Sequence, residues 1–113
     1  MVPLSREDMD EEGPFGWGQV TPSLFKDTIL PKIKQYEDLT WSEFKKPKSN
    51  HPMPVVKISQ EAKRRLSDLG KEDVETLYQM AITGISRVWG IREQNIFKVL
   101  WWDPSHLVYP TSR

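Results

Sequence analysis

The sequence predicts an α+β fold: a small mostly antiparallel sheet with the element order βααβββ over residues 55–110, preceded by an N-terminal helical extension. Three stretches carry that expectation. Residues 87–103 hold two runs of β-branched and aromatic side chains around a polar turn, the composition of a hairpin. Residues 59–70 run from a serine able to cap a helix to a glycine able to end it. Phe25, Ile29, Ile33 and Tyr36 recur at helical spacing behind Thr21-Pro22, a hydroxyl cap followed by proline at the first helical position.

Residues 1–13 have little to bury and are expected to form a mobile acidic leader. Their five acids, Glu7, Asp8, Asp10, Glu11 and Glu12, stand against Arg6 alone. Such a segment serves either as a solubilising leader or as a screen laid over a basic face. Residues 14–54 are expected as a helical extension and loop. Within them Phe15 and Trp17, set among glycines, should anchor the arm on the domain surface, and Pro31 should kink or split its helix. Thr40-Trp41-Ser42-Glu43 fits a capping box leading into a short turn through Phe44, and the proline-rich residues 45–54 read as a loop. Residues 55–113 form the expected core of a single domain: a strand at 55–58, a helix at 60–69 burying Ala62, Leu66 and Leu69, and a second helix at 72–81 burying Val74, Leu77, Tyr78 and Ala81. The hairpin and a third strand at residues 107–109 complete the order.

The hairpin turn falls at Glu93-Gln94-Asn95, where Asn is able to take a positive φ, and Pro104 should stop the second strand at Asp103. Side chains alternate across a strand, so the register decides what each face carries. With Glu93 and Gln94 as the loop, Ile91 lies opposite Ile96, Trp89 opposite Lys98 and Arg87 opposite Leu100. Val88, Gly90, Phe97, Val99 and Trp101 then share an apolar face toward the core, while Arg87, Trp89, Lys98 and Trp102 share a mixed one. That mixed face is either open to a partner or covered by the N-terminal segment, with the cations reaching water along their stems.

Composition narrows the function classes. The 113 residues carry no formal net charge, which argues against a strongly basic nucleic-acid binder. The body beyond residue 12 is nevertheless +4, with fifteen basic and eleven acidic side chains. The absence of cysteine excludes disulfide and thiol chemistry. With no signal-like or membrane-spanning apolar run the expectation is a cytoplasmic protein with no membrane partner. There is no P-loop, dinucleotide glycine motif or zinc pattern, and no Ser/His/Asp or Cys/His triad at recognisable spacing, so neither a cofactor nor a small-molecule ligand is expected.

The order βααβββ, closing on Arg87-Val88-Trp89-Gly90-Ile91-Arg92 and Leu100-Trp101-Trp102-Asp103-Pro104-Ser105-His106-Leu107-Val108-Tyr109-Pro110, resembles the RelE/ParE toxin fold over the last half of the chain. The same ending is similar to that of a set of short uncharacterised bacterial proteins. The first resemblance implies a toxin of a bacterial toxin-antitoxin system, a metal-independent mRNA endoribonuclease with RNA or the ribosome as target and an antitoxin-like protein as partner. In that chemistry a ribose 2′-hydroxyl attacks the neighbouring phosphate, so protons move at two oxygens and cations gather at phosphorus. The implied catalytic set is Arg87, Lys98, His106 and Tyr109. Trp89 and Trp102 would stack on bases or a partner, with Arg92, Lys63, Arg64 and Arg65 steering the backbone.

Other readings of the same residues stand beside these. His106 fits a loop residue hydrogen-bonded to Asp103, Tyr109 a packed strand residue, and Asp103 with His106 alone do not make a metal site. Asp103 near the scissile phosphate would repel it, or would raise the pKa of His106. The alternative function is a non-catalytic protein-binding module, or a subunit of a bacterial assembly, that uses the Trp-rich sheet face.

Overall fold

The computed structural model describes residues 2–110. It is an α+β molecule with a helical N-terminal part and a five-stranded, mostly antiparallel sheet. The strands are β1 (Leu4–Ser5), β2 (Pro52–Pro54), β3 (Thr76–Ala81), β4 (Arg87–Glu93) and β5 (Ile96–Asp103), in the spatial order β1-β5-β4-β3-β2. Only β1, beside β5, runs parallel to its neighbour. Helices α1 (Pro22–Leu24), α2 (Leu30–Glu37) and α3 (Trp41–Phe44) precede β2, and α4 (Gln60–Asp68) follows it.

The helix signals act where the residues place them. The Thr21 hydroxyl accepts from the Leu24 amide, Thr40 and Glu43 close a reciprocal capping box, and the Ser59 hydroxyl accepts from the Ala62 amide. Gly70, at φ 74°, ends α4 in the left-handed conformation that favours glycine. Pro31 neither breaks nor sharply divides its helix. The turn before it, Phe25–Ile29, widens to π geometry, with the Leu30 amide reaching back to the Phe25 carbonyl. A proline cannot donate, and its ring crowds the carbonyl one turn earlier; a wider turn relieves both conditions.

The sheet is covered on both faces. One face carries Met80, Val88, Phe97, Val99 and Trp102 against Ile29, Ile33, Tyr36 and Phe44 of the helical extension. The other carries Leu77, Trp89, Leu100 and Trp101 against Ala62 and Leu66 of α4, with Phe15 and Val108 filling in. Burying each such large side chain contributes roughly 1.5–3 kcal/mol, so neither face is free to serve as an open platform.

Several elements differ from expectation for identifiable reasons. Residues 72–81 contain a strand instead of a second helix, and the order βααβββ is replaced over this region by α4-β3-β4-β5. Val74, Leu77, Tyr78 and Ala81 satisfy a helical stripe, yet Leu77 and Met80 are buried on opposite faces of the sheet, and apolar cover on both sides removes the alternation that marks a half-buried strand. The strand expected at 55–58 is a 3-10 turn, Val55–Lys57; pairing occurs one step earlier in the presumed loop, at Pro52–Pro54, an edge position that tolerates proline. Residues 107–109 form no strand, because the Asp103 carboxylate accepts from the amides of Ser105, Leu107 and Val108, taking the donors a ladder would need. Residues 111–113 of the expected core lie outside the described residues.

The hairpin register also shifts. Glu93 pairs with Ile96, so the loop is Gln94-Asn95, and Gln94 is the residue at positive φ, 57°. A bulge follows: Gly90 pairs with Val99 and Trp89 with Trp101, leaving Leu100 over. Leu100 and Trp101 therefore both reach the α4 side, and Trp102 returns to the other. Gly90 is demanded by close approach, since a Cβ there would lie 2.7 Å from the Lys98 carbonyl oxygen and 2.8 Å from Phe97 Cζ.

Residues 2–13 of the segment expected to be a mobile leader are built into the molecule, and Met1 lies outside the described residues. Val2 is fully buried, Leu4 and Ser5 extend the sheet, and Asp10 is 5% exposed.

A strapped sheet edge as candidate site

Residues 2–17 run along the outer rim of β5. The Phe97 amide donates to the Pro3 carbonyl, the Asp10 amide to the Leu100 carbonyl and the Trp102 amide to the Phe15 carbonyl. Asp10 lies at the centre. Its carboxylate accepts from Arg65 Nε and Nη2, each at 2.8 Å, and from Trp101 Nε1 at 2.9 Å. The amides of Glu12 and Gly13 approach Oδ1 at 3.4 and 3.3 Å. Arg65 is the largest cause that holds the Asp10 pKa down at about 2, outweighing the burial that pushes it up. The same bond raises the Arg65 pKa. Asp8 meets Lys98 Nζ at 3.1 Å and Lys71 Nζ at 3.7 Å, while Glu93 takes Lys98 at 3.3 Å. Asp8, followed by Glu93, raises the Lys98 pKa. The acidic segment is thus a screen over cations, one of the two uses its charge suggested.

The sequence-derived site residues are dispersed. Arg87, 7% exposed, turns onto its own β-turn, where Nη1 donates to the carbonyls of Thr83, Gly84 and Ser86. Burial lowers its pKa, and its Nε, like Trp89 Nε1, has no hydrogen-bond partner among the described residues. In the ladder Arg87 pairs with Asp103 and Ile91 with Lys98. Four residues of strand at ~3.3 Å each therefore separate Arg87 from Lys98 along the sheet by roughly 13 Å. His106 follows Asp103 at the Arg87 end, with φ 59°, and Tyr109 packs against the α4-side cluster. Asp103 serves the loop amides, so it does not hold His106 as a proton relay would require.

Trp89 is fully buried on the α4 side and Trp102 is 6% exposed on the opposite side, so no mixed indole and cation face exists. The physical reason is the bulge, which breaks simple alternation, together with cover on both faces. Arg92 lies 4.0 Å above the Trp41 ring and donates to the Gln94 carbonyl; Trp41 Nε1 donates to Asn95, clasping the hairpin turn to α3. Arg64 is exposed and Lys63 half-buried on α4, while Arg65 bonds Asp10. Among the described residues no three His, Asp or Glu side chains gather as a metal site, and no helix is long and apolar enough to cross a membrane.

The residues missed in the sequence are Asp8, Asp10 and Trp101. The available signal was the contrast between five acids near the N-terminus and a body of +4, which gives complementary charge but not which pairs form. No curated protein and no solved structure matches the chain. The family model described as uncharacterised protein UU032 matches residues 19–113, and the chain belongs to that family.

Proposed function

We propose that the chain is a non-catalytic protein-binding module. What supports this reading above all is how its cations are engaged: Arg87 on the carbonyls of its own turn, Lys98 between two carboxylates, Arg65 on Asp10. The groups that would have to surround a phosphate are each turned to another partner. By contrast, Val56, Ile85 and Leu107 are 77, 60 and 51% exposed. Scattered exposed apolar residues are ordinary. Here, however, two sit on pre-ordered loops: Ile85 in the turn closed by Thr83, Ser86 and Arg87, and Leu107 in the loop held by Asp103. A loop already ordered loses less entropy on binding. The Trp-rich sheet faces are closed, so the module works through loops and a sheet edge.

A RelE-like toxin acting as an endoribonuclease is the competing proposal, and the α+β class alone supports it. Two parallel measurements separate them: purified chain with labelled single-stranded RNA, and in-cell cross-linking of the parent beside Ile85→Asp and Leu107→Asp. The binding reading expects intact RNA and a partner that the parent retains and the variants lose. RNA cleavage that disappears in His106→Ala, at unchanged thermal unfolding, overturns it in favour of the ribonuclease.

A further inference from the structure

Residues 2–17 sit on β5 as a ligand sits on a receptor. Their backbone supplies the three bonds to Phe97, Leu100 and Trp102, with Leu4 and Ser5 in parallel register with Phe97 and Lys98. Their side chains supply anchors: Val2 and Phe15, 0 and 1% exposed, fill apolar seats at either end, and the Asp10 carboxylate is gripped between them by Arg65 and Trp101. Main-chain pairing for affinity and side-chain seats for selectivity are the two components by which an added strand is recognised.

The fit is incomplete. The ladder of β1 with β5 is two residues long, after which the chain leaves the rim through a turn closed by the Met9 amide on the Arg6 carbonyl. Pairing resumes only at Asp10. Beside this turn, a cleft of about 450 Å³ lies between residues 7–12 and Arg65, Leu69 and Lys71. A continuous strand would go on pairing where this segment turns away. The receptor side, β5 with Arg65 and Lys71, lies wholly within the family-matched residues 19–113, whereas residues 2–17 precede them.

We propose that the β5 rim is a docking site for an extended acidic segment of a partner protein, entering parallel to β5 with one carboxylate on Arg65 and Trp101, and that residues 2–17 are its resident occupant in cis. The proposal rests on the binding-module reading and names its partner chemistry. Charge sets the sign: Arg65, Lys71 and Lys98 flank the rim, and each is now neutralised by Asp8 or Asp10. Geometry sets the anchor, since a planar guanidinium bonded through two nitrogens selects a carboxylate over a neutral amide. An aromatic residue follows that carboxylate at the distance of Phe15 from Asp10.

A tethered occupant competes at an effective concentration in the millimolar range, so the test cuts the tether first. A protease recognition sequence is inserted between Gln19 and Val20, and the chain is nicked there with every residue retained. A labelled peptide of residues 1–19 is then titrated onto the nicked chain by fluorescence anisotropy. Expected are exchange into the rim and binding weakened about 10- to 100-fold for the Asp10→Asn peptide. A fragment that never exchanges while the chain stays folded, or equal affinity of the Asp10→Asn peptide, overturns the proposal. So does unfolding on nicking, which makes the segment an integral strand, and so does a concentration-dependent dimer, which makes a second copy the occupant. Failure here with the Ile85- and Leu107-dependent partner retained leaves the binding-module reading standing; RNA cleavage removes that reading without altering peptide exchange.

Discussion

Asp10→Asn isolates the bond that fastens the N-terminal segment to α4 and β5. The asparagine oxygen still accepts from Trp101 Nε1, but its amide nitrogen is a donor set against the donors of Arg65. Bonding to Arg65 is the main reason the carboxyl titrates at about 2 instead of 3.8, a displacement equivalent to up to about 2.5 kcal/mol. The Arg65 side chain is 22% exposed and regains part of its hydration when the pair is lost, so about 2 kcal/mol is expected at pH 7. For a domain of 113 residues that lowers Tm by roughly 6–10 °C. The pH dependence has a definite sign. A carboxyl whose folded-state pKa is depressed stabilises the fold above its unfolded value of 3.8 and loses that contribution as pH falls through about 2. Parent and variant should therefore differ fully at pH 7, and the gap should begin to close below about pH 5. Thermal unfolding by circular dichroism at pH 7, 4 and 2.5 measures it. A gap under ~0.5 kcal/mol at pH 7, or one that does not narrow in acid, would refute the assignment of the stabilisation to the Asp10 charge.

Three further outcomes follow from packing and hydrogen bonding. Gly90→Ala drives a methyl group against the Lys98 carbonyl and the Phe97 ring, and denaturant titration should show a loss of about 2–3 kcal/mol. Asn50, fully buried, donates to the Phe44 carbonyl and accepts from the Ala81 amide; Asn50→Ala orphans both, and a loss of roughly 2–4 kcal/mol is expected in urea unfolding. Trp89 and Trp101 are both fully buried, but only Trp101 has a partner for its indole N–H, so Trp101→Phe should cost at least ~1 kcal/mol more than Trp89→Phe; equal losses would count against the Asp10 contact.

Local chemistry was legible in the sequence wherever one or two residues decide an outcome. Thr21-Pro22, the Thr40–Glu43 box, the Ser59 cap and Gly70 each name a helix end, because the satisfied donor or the permitted φ belongs to that residue itself. The hairpin was legible as an element, but its register was not. One bulge residue, Leu100, redistributes Trp101 and Trp102 between faces, and nothing local distinguishes a bulged strand from a regular one. β3 was illegible as a strand because its cover lies in distant segments, α4 on one side and the helical extension on the other. The site failed for the same reason at longer range. Arg65 is one of three adjacent cations on a helix, and only the fold decides that it, and neither Lys63 nor Arg64, meets Asp10, 55 residues away.

The two rims of the sheet are closed by different means, and this bears on self-assembly. In β2 the one amide hydrogen, that of Met53, is needed for the ladder with Leu77, and Pro52 and Pro54 have none to offer. That rim is blunted by covalent structure and cannot be reopened by any change of partner. Even if two molecules joined through their β5 rims, the combined sheet would end in a proline pair at each extremity. Growth would stop at two, and the runaway polymerisation that threatens an unguarded sheet is denied a propagating end.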